Sequence, residues 1–200
     1  WYNTHSKWKL GDFMSTLKVE NLTGLSSGSN ANKIIVPSGQ TIDASAGTLV
    51  PSASQVVQHL FAVPTSQTEF SSGSYTDATG FSVTITPKYS NSKILIRAWA
   101  KAQHNNGGGG ANNTAQDHRL VRNGSGIYAA SWQNYFNQSS VPNDFYPPFT
   151  MNYIDTPSST SALTYKIQGR IYGGTQRNWK INDGNGGDTK ALMEVLEIKQ

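Results

Sequence analysis

Apolar and β-branched residues recur in short runs from residue 55 to residue 200, and clusters of Gly, Asn, Asp, Ser and Pro separate the runs. In the run 93–102, Ile94 and Ile96 alternate with Leu95 and Arg97, which is the period of a strand with one buried face. Nine runs are predicted to be strands: 56–63, 81–86, 93–102, 118–122, 127–132, 149–154, 163–172, 177–181 and 191–198. This spacing predicts an all-β head, an antiparallel β-sandwich of jelly-roll type.

Turn residues and prolines set the limits of these strands. Asn123-Gly124 predicts a tight hairpin, and Pro87 and Pro157 are expected to end strands. The last run, 191–198, also fits one face of a helix, but its alternation is equally good and its context is β, so we predict a strand. The expected core residues are Phe81, Val83, Ile85, Ile94, Ile96, Ile167, Ile171 and Leu196.

Residues 33–54 follow a different pattern, with two short runs rich in β-branched residues, 34–36 and 48–50, each closed by a proline. The segment has too few apolar residues to fold alone, and its prolines exclude it from the centre of a sheet. We therefore expect its apolar side chains to be buried between copies of the chain, in a short intertwined β stalk. The expected trimer-core residues are Ile34, Val36, Ile42, Leu49 and Val50.

The first 24 residues contain several aromatic side chains without clear periodicity, and a stretch rich in Gly, Ser and Asn follows them. This pattern is typical of a peptide that docks on a partner and continues into a flexible linker. We predict three parts: an attachment peptide and linker at 1–32, the stalk at 33–54 and the head at 55–200. The expected attachment residues are Trp1, Tyr2, Trp8 and Phe13.

Charge and composition exclude several classes of partner. Sixteen Lys and Arg against twelve Asp and Glu give a net charge of +4, but the basic residues are scattered, whereas a nucleic-acid binder needs a basic stripe. No apolar stretch is long enough to cross a bilayer, so we expect no membrane insertion. The chain has no cysteine, and its stability must therefore come from packing and assembly.

A hydrolase triad could be imagined from the adjacent Asp117 and His118 together with Ser125 or Ser131. Neighbouring residues of a strand point to opposite faces, however, so Asp117 could not easily orient the His118 ring. We interpret both as polar residues at the surface or at a strand end. The chain is accordingly predicted not to be an enzyme.

Metal and phosphate sites are not predicted either. His5, His59 and His104 lack the mutual spacing of ligands for a transition metal. The turn 183–188 has two Asp and an Asn that could hold calcium, but an exposed hairpin loop explains the same composition. The glycines at 107–110 lack the Lys-Ser/Thr of a phosphate-binding loop. We expect no metal and no other cofactor.

Aromatic rings interspersed with amides and carboxylates occur between 132 and 149, a combination that suits saccharide recognition. The alternative is that these rings pack beneath a long loop or at a subunit interface. We expect the loops 104–113 and 134–148 to carry host-surface recognition. The candidate receptor- or glycan-binding residues are Trp132, Asn134, Tyr135, Phe136, Asp144 and Tyr146.

Eight motifs occur in a characteristic order along residues 14–200. They are Met14-Ser-Thr-Leu-Lys-Val, Val36-Pro-Ser-Gly-Gln-Thr-Ile-Asp, Val56-Val-Gln-His, Ser74-Tyr-Thr-Asp-Ala-Thr-Gly-Phe, Asn91-Ser-Lys-Ile-Leu, Arg119-Leu-Val-Arg-Asn-Gly, Asp155-Thr-Pro-Ser-Ser-Thr and Leu192-Met-Glu-Val. In order and combination they resemble the tail-fibre and other virion structural proteins of phages, many of them marine. Each motif alone is a common strand with its turn.

The resemblance implies a homotrimeric fibre or spike, located in the extracellular phage particle. Its expected partners are itself, another virion protein through the N-terminus, and a host surface glycan or envelope component. Residues 1–13 lie upstream of the usual start of such fibres. Three alternatives stay open: a capsid head fibre or decoration protein, a free carbohydrate-binding module, and a glycan-cleaving spike, which the lack of a carboxylate pair disfavours.

Overall fold

The computed structural model describes residues 27–28, 34–36, 38–39, 41, 51–104, 113–137, 146–172, 178–182 and 191–200. By its internal contacts the chain divides into two units, Trp1–Leu49 and Val50–Gln200. Within the described residues the regular elements are strands, and all ten belong to the second unit. They are β1 Val56–Ala62, β2 Thr68–Phe70, β3 Thr76–Ile85, β4 Lys93–His104, β5 Asn113–Arg122, β6 Ser125–Asn137, β7 Pro148–Asp155, β8 Leu163–Tyr172, β9 Trp179–Ile181 and β10 Leu192–Ile198.

The strands form two antiparallel sheets. In the first sheet β4 is central: β10 and β9 pair with it, β7 also pairs with it, β1 lies beside β10, and β2 lies beside β9. The second sheet has the order β3-β8-β5-β6. The chain passes repeatedly from one sheet to the other, and this strand order is that of a jelly roll. The predicted antiparallel β-sandwich of jelly-roll type is therefore confirmed.

The core lies between the sheets and is filled by alternate residues of the strands. In β4, Ile94 and Ile96 are fully buried, while Arg97 and Trp99 are exposed on the outer face, so the predicted alternation is confirmed. Of the predicted core residues, Phe81, Val83, Ile85, Ile94, Ile96 and Ile167 are buried, and Ile171 is half-buried against them.

Leu196 is the exception, because it lies on the outer face of β10 and is only half-buried. The inward residues of this strand are Met193, Val195 and Glu197. Glu197 can occupy the core side because its carboxylate accepts hydrogen bonds from the Ser92 hydroxyl at 2.7 Å and from the Lys88 backbone N–H at 2.9 Å. The prediction was wrong because alternation alone does not decide which face of a strand is buried.

All nine predicted strands are present, including the last one, which is a strand and not a helix. The tenth, β2, was missed because it has three residues with a single apolar side chain. β3 begins at Thr76, five residues before the prediction, and its register shifts between Asp77 and Ser82. Gly80 lies in this shifted stretch with φ of +79°, a conformation that glycine adopts without strain.

The sandwich has two different ends. At the hairpin end, Asn123 and Gly124 both have positive φ and join β5 to β6 in a two-residue turn, as predicted. The chain enters β1 at this same end, where the Ser54 N–H donates to the Lys199 carbonyl at 2.6 Å. At the loop end lie the strand termini that the segments 105–112, 138–145 and 173–177 connect.

Candidate functional site

The predicted recognition residues lie toward the loop end, but four of them are in a strand. β6 continues to Asn137, and Phe136 pairs with Thr114 of β5. The prediction of a loop from residue 134 was therefore wrong for 134–137, since the aromatic residues there have strand propensity and find a partner strand. The backbone of Trp132, Asn134, Tyr135 and Phe136 is described but their side chains are not, and Asp144 lies outside the described residues.

Tyr146 is the one predicted recognition residue whose side chain is described, and 42% of it is exposed. The buried Gln103 donates a hydrogen bond from its Nε2 to the Tyr146 hydroxyl at 3.1 Å. The Lys101 ammonium lies 4.6 Å from the centre of the ring, within the range of a cation–π contact. The end of β4 therefore fixes an exposed aromatic ring at the loop end.

Beneath the loop end, the core contains polar side chains. His118 and His104 point inward and are almost fully buried. Among the described residues, neither ring nitrogen of His118 has a hydrogen-bond partner, and the ring packs edge-on against Phe149 with centroids 4.7 Å apart. Burial lowers the pKa of both histidines to about 4. At His118 the negative charge of Asp117 raises the pKa, but this effect is smaller than that of burial. Both imidazoles are therefore neutral at physiological pH.

Asp117 is fully buried on the other side of the same strand. Its carboxylate accepts hydrogen bonds from the Tyr75 hydroxyl at 3.0 Å and from Arg170 Nε at 2.6 Å. The guanidinium groups of Arg119 and Arg170 lie over the Tyr75 ring, 4.1 and 4.4 Å from its centre. The interpretation of Asp117 and His118 as surface or strand-end residues was wrong: both are buried within β5, each with its own set of contacts.

The outer face of the first sheet carries a groove that the sequence analysis did not single out. It has a volume of about 240 Å³ and is named the Trp99 groove. Its lining comprises Arg97, Ala98, Trp99, Thr150, Asn152 and Glu194. Cross-strand register builds it, because Trp99 pairs with Thr150, and Arg97 pairs with both Asn152 and Glu194.

The groove combines an apolar ring with fixed polar groups. Trp99 is 46% exposed. Beside it, Arg97 Nη2 donates to Glu194 Oε2 at 2.5 Å. Part of the groove could be predicted from the sequence, because Trp99 and Arg97 are two residues apart on the solvent face of an alternating strand. The partners on β7 and β10 are distant in sequence and could not be assigned to it.

The remaining predicted residues fall largely outside the described part of the chain. This holds for the attachment residues Trp1, Tyr2, Trp8 and Phe13, and for the stalk residues Ile42, Leu49 and Val50. Ile34 and Val36 are described: they lie outside any strand and are 56% and 37% exposed in the single chain. The intertwined β stalk stays a prediction.

The described residues contain no group of three or more His, Cys, Asp or Glu side chains placed to hold a metal ion, and 183–188 lies outside them. They also contain no helix long and apolar enough to cross a membrane.

Comparison with family models and with curated proteins gives no match. Among solved structures, the chain is similar to particles derived from infectious bursal virus (14% identity, TM-score 0.35) and to the T13 viral particle of IBDV (12%, 0.36), covering 82% of this chain in each case. It is also similar to dimeric latent PorU from Porphyromonas gingivalis, with 10% identity and a TM-score of 0.29. This match covers 74% of this chain and 14% of the PorU chain. The chain spans about 40% of the length of the two viral chains.

Proposed function

We propose that this chain is a structural protein of a phage virion, a short homotrimeric tail fibre or spike. In this proposal the N-terminus docks on the particle, and the head binds the host surface. The observation that carries it is the difference between the two ends of the head: the chain enters at the hairpin end, and the connections 105–112 and 138–147 join strand termini at the opposite end. Recognition residues are concentrated on such loops when a rigid scaffold holds them.

The hairpin end is suited to holding the head on a stalk. Residues 51–55 run along the C-terminal residues, with the Lys199 N–H donating to the Gln55 carbonyl at 3.0 Å. The Lys199 ammonium also donates to the Pro51 carbonyl at 2.5 Å. The residues that join the predicted stalk to the head are therefore hydrogen-bonded to Lys199, the residue that follows β10.

Assembly is supported by the apolar residues that the single chain leaves exposed. Ile34 and Ile35 are 56% and 55% exposed, and they stand next to Val36 in a segment that prolines exclude from a central strand. A run of three large apolar side chains in water is unfavourable, and association of several copies removes it from water. The number three follows the resemblance to phage fibres.

We propose no enzymatic activity for this chain. The Asp117 carboxylate is held by Tyr75 and Arg170, and the neutral His118 ring packs against Phe149. In a catalytic triad the carboxylate accepts a hydrogen bond from the imidazole and orients it, and these contacts of Asp117 and His118 differ from that arrangement.

Two variants of the full chain test the proposal on phage particles. Deletion of residues 1–13 should give soluble trimers that bind host cells but no longer enter particles. Replacement of Tyr135, Phe136 and Tyr146 by Ser should give particles that carry the protein but adsorb poorly. Immunogold electron microscopy measures incorporation, and the rate of loss of free phage measures adsorption.

Labelling of the tail tip or a spike is the expected result. Labelling spread over the capsid, together with normal adsorption of the substituted particles, would replace the tail-fibre proposal with a decoration protein. Absence of the chain from purified particles would overturn the virion assignment itself.

A further inference from the structure

We propose that the Trp99 groove binds a neutral saccharide ring. Its chemistry is that of a sugar site: the indole of Trp99, a residue that is 46% exposed, offers apolar surface to the C–H face of a pyranose, and fixed polar side chains stand beside it. The inference rests on the proposed function only for the biological source of the saccharide, namely the host surface.

Cross-strand pairing fixes the relative positions of platform and polar groups. Trp99 and Arg97 are two residues apart on β4 and therefore point to the same face, as do their partners Thr150 and Asn152 on β7. The groove thus has the Thr150 hydroxyl beside the ring and the Asn152 amide beside the guanidinium. A hydroxyl and an amide can each donate and accept, which matches adjacent hydroxyl groups of a sugar.

The charges of the groove select a neutral ligand. Arg97 and Glu194 are paired at 2.5 Å, so the lining has no net charge from this pair. Both groups retain capacity beyond their mutual bond, because a guanidinium has five N–H donors and a carboxylate has about four acceptor positions. Vicinal hydroxyls can use this capacity without breaking the pair.

The size of the groove indicates one ring. Its volume of about 240 Å³ lies below the range of about 300–1,000 Å³ that holds drug-sized ligands. Phe61 pairs with Glu194 on the side away from Arg97 and is 62% exposed. It offers a second apolar surface across the ion pair, so neighbouring rings of a chain can continue over the sheet.

A second copy of the protein fits this surface less well. Charged residues are depleted at the centre of subunit interfaces, yet Arg97 and Glu194 lie between the exposed rings of Trp99 and Phe61. Burying this pair and the Asn152 amide beneath an apolar surface would remove water from them without replacing its hydrogen bonds. Sugar hydroxyls replace those bonds.

The test is binding of the assembled full chain to an array of neutral bacterial surface polysaccharide fragments, followed by calorimetric titration with the best fragment. Trp99→Ala should raise its Kd by at least about tenfold, as expected for loss of an aromatic platform. Asn152→Ala should raise it several-fold, and Trp99→Phe, which keeps a ring, should restore much of the affinity. Tyr128→Ala is the matched control, since Tyr128 is an exposed aromatic residue of the second sheet, 36% accessible, and should leave Kd unchanged.

Native mass spectrometry of each variant separates a local effect from a failure to fold or assemble. Unchanged binding in Trp99→Ala, or no saccharide bound by the parent protein at millimolar concentration, would overturn the proposal. A change of assembled mass in Trp99→Ala would assign the face to a subunit interface instead. The binding result is independent of particle labelling, so a failed virion assignment and a failed sugar site are told apart.

Discussion

Acidification is expected to weaken the head through His104 and His118. An ordinary histidine, as in the unfolded chain, has a pKa near 6.5, whereas burial lowers the pKa of both residues to about 4 in the folded head. Between these values the unfolded state binds more protons, so the free energy of unfolding falls as the pH falls. The loss begins near pH 6.5 and is complete near pH 4.

The magnitude follows from the width of this window. A pH of about 5 lies about 1.5 pH units below the histidine pKa of the unfolded chain, and at this pH the buried imidazoles of the folded head are still mostly neutral. For each such histidine the free energy of unfolding falls by about 1.4 kcal/mol per pH unit across this interval. Acidification to about pH 5 therefore lowers the free energy of unfolding by about 2 kcal/mol for each histidine and by about 4 kcal/mol for the pair. This is a large share of a typical free energy of unfolding of about 5–15 kcal/mol. Carboxylates titrate mainly below this window and contribute little to the change.

The assay is urea unfolding at about pH 7 and about pH 5, monitored by tryptophan fluorescence at one fixed protein concentration. His118→Leu should remove about half of the pH dependence, because it replaces a buried ring whose nitrogens have no partner by an apolar side chain. Ile167→Val, at a fully buried position of β8, is the control and should cost about 0.5–1.5 kcal/mol equally at both pH values. An unchanged pH dependence in His118→Leu would show that the ring is solvated or charged in the folded head, and the reasoning would fail.

Three further substitutions test the packing. Gly169→Ala should cost about 1–3 kcal/mol in thermal unfolding, because its Cβ would lie 2.5 Å from Cζ2 of Trp179; an unchanged Tm would refute the contact. Glu197→Gln should lower the free energy of unfolding by about 1–3 kcal/mol, because its NH₂ group would face the Ser92 hydroxyl and backbone N–H donors. Burial opposes ionisation of Glu197, but these hydrogen bonds lower its pKa overall, so the wild type loses this contribution below about pH 4.5 and the variant should not. Ile96→Ala should cost about 2–5 kcal/mol in urea, and a value near zero would contradict its inward position.

The strands of the head could be predicted because each repeats a local pattern that burial of one face enforces. The alternation around Ile94 and Ile96 and the Asn123-Gly124 turn contain all the information that their local structure needs. Strand length depends on a partner, so β6 extended past its predicted end where β5 was available to pair with it.

Side-chain environments were harder to predict, because they depend on residues far apart in the chain. Leu196 was predicted in the core in place of Glu197, because the donors from 88–92 that surround the Glu197 carboxylate are distant in sequence. Asp117 required Tyr75 and Arg170 in the same way. The Trp99 groove depends on β7 and β10 pairing with β4, which no local pattern specifies.

The mass of the assembled protein in solution tests most directly whether this chain works as a three-copy fibre head. Native mass spectrometry at micromolar concentration should give three times the chain mass of 21.7 kDa, about 65 kDa. Dilution should not release folded monomers, because the stalk is expected to fold only on assembly. A single species of 21.7 kDa, stable on dilution and with residues 33–54 protected from hydrogen exchange, would contradict the account.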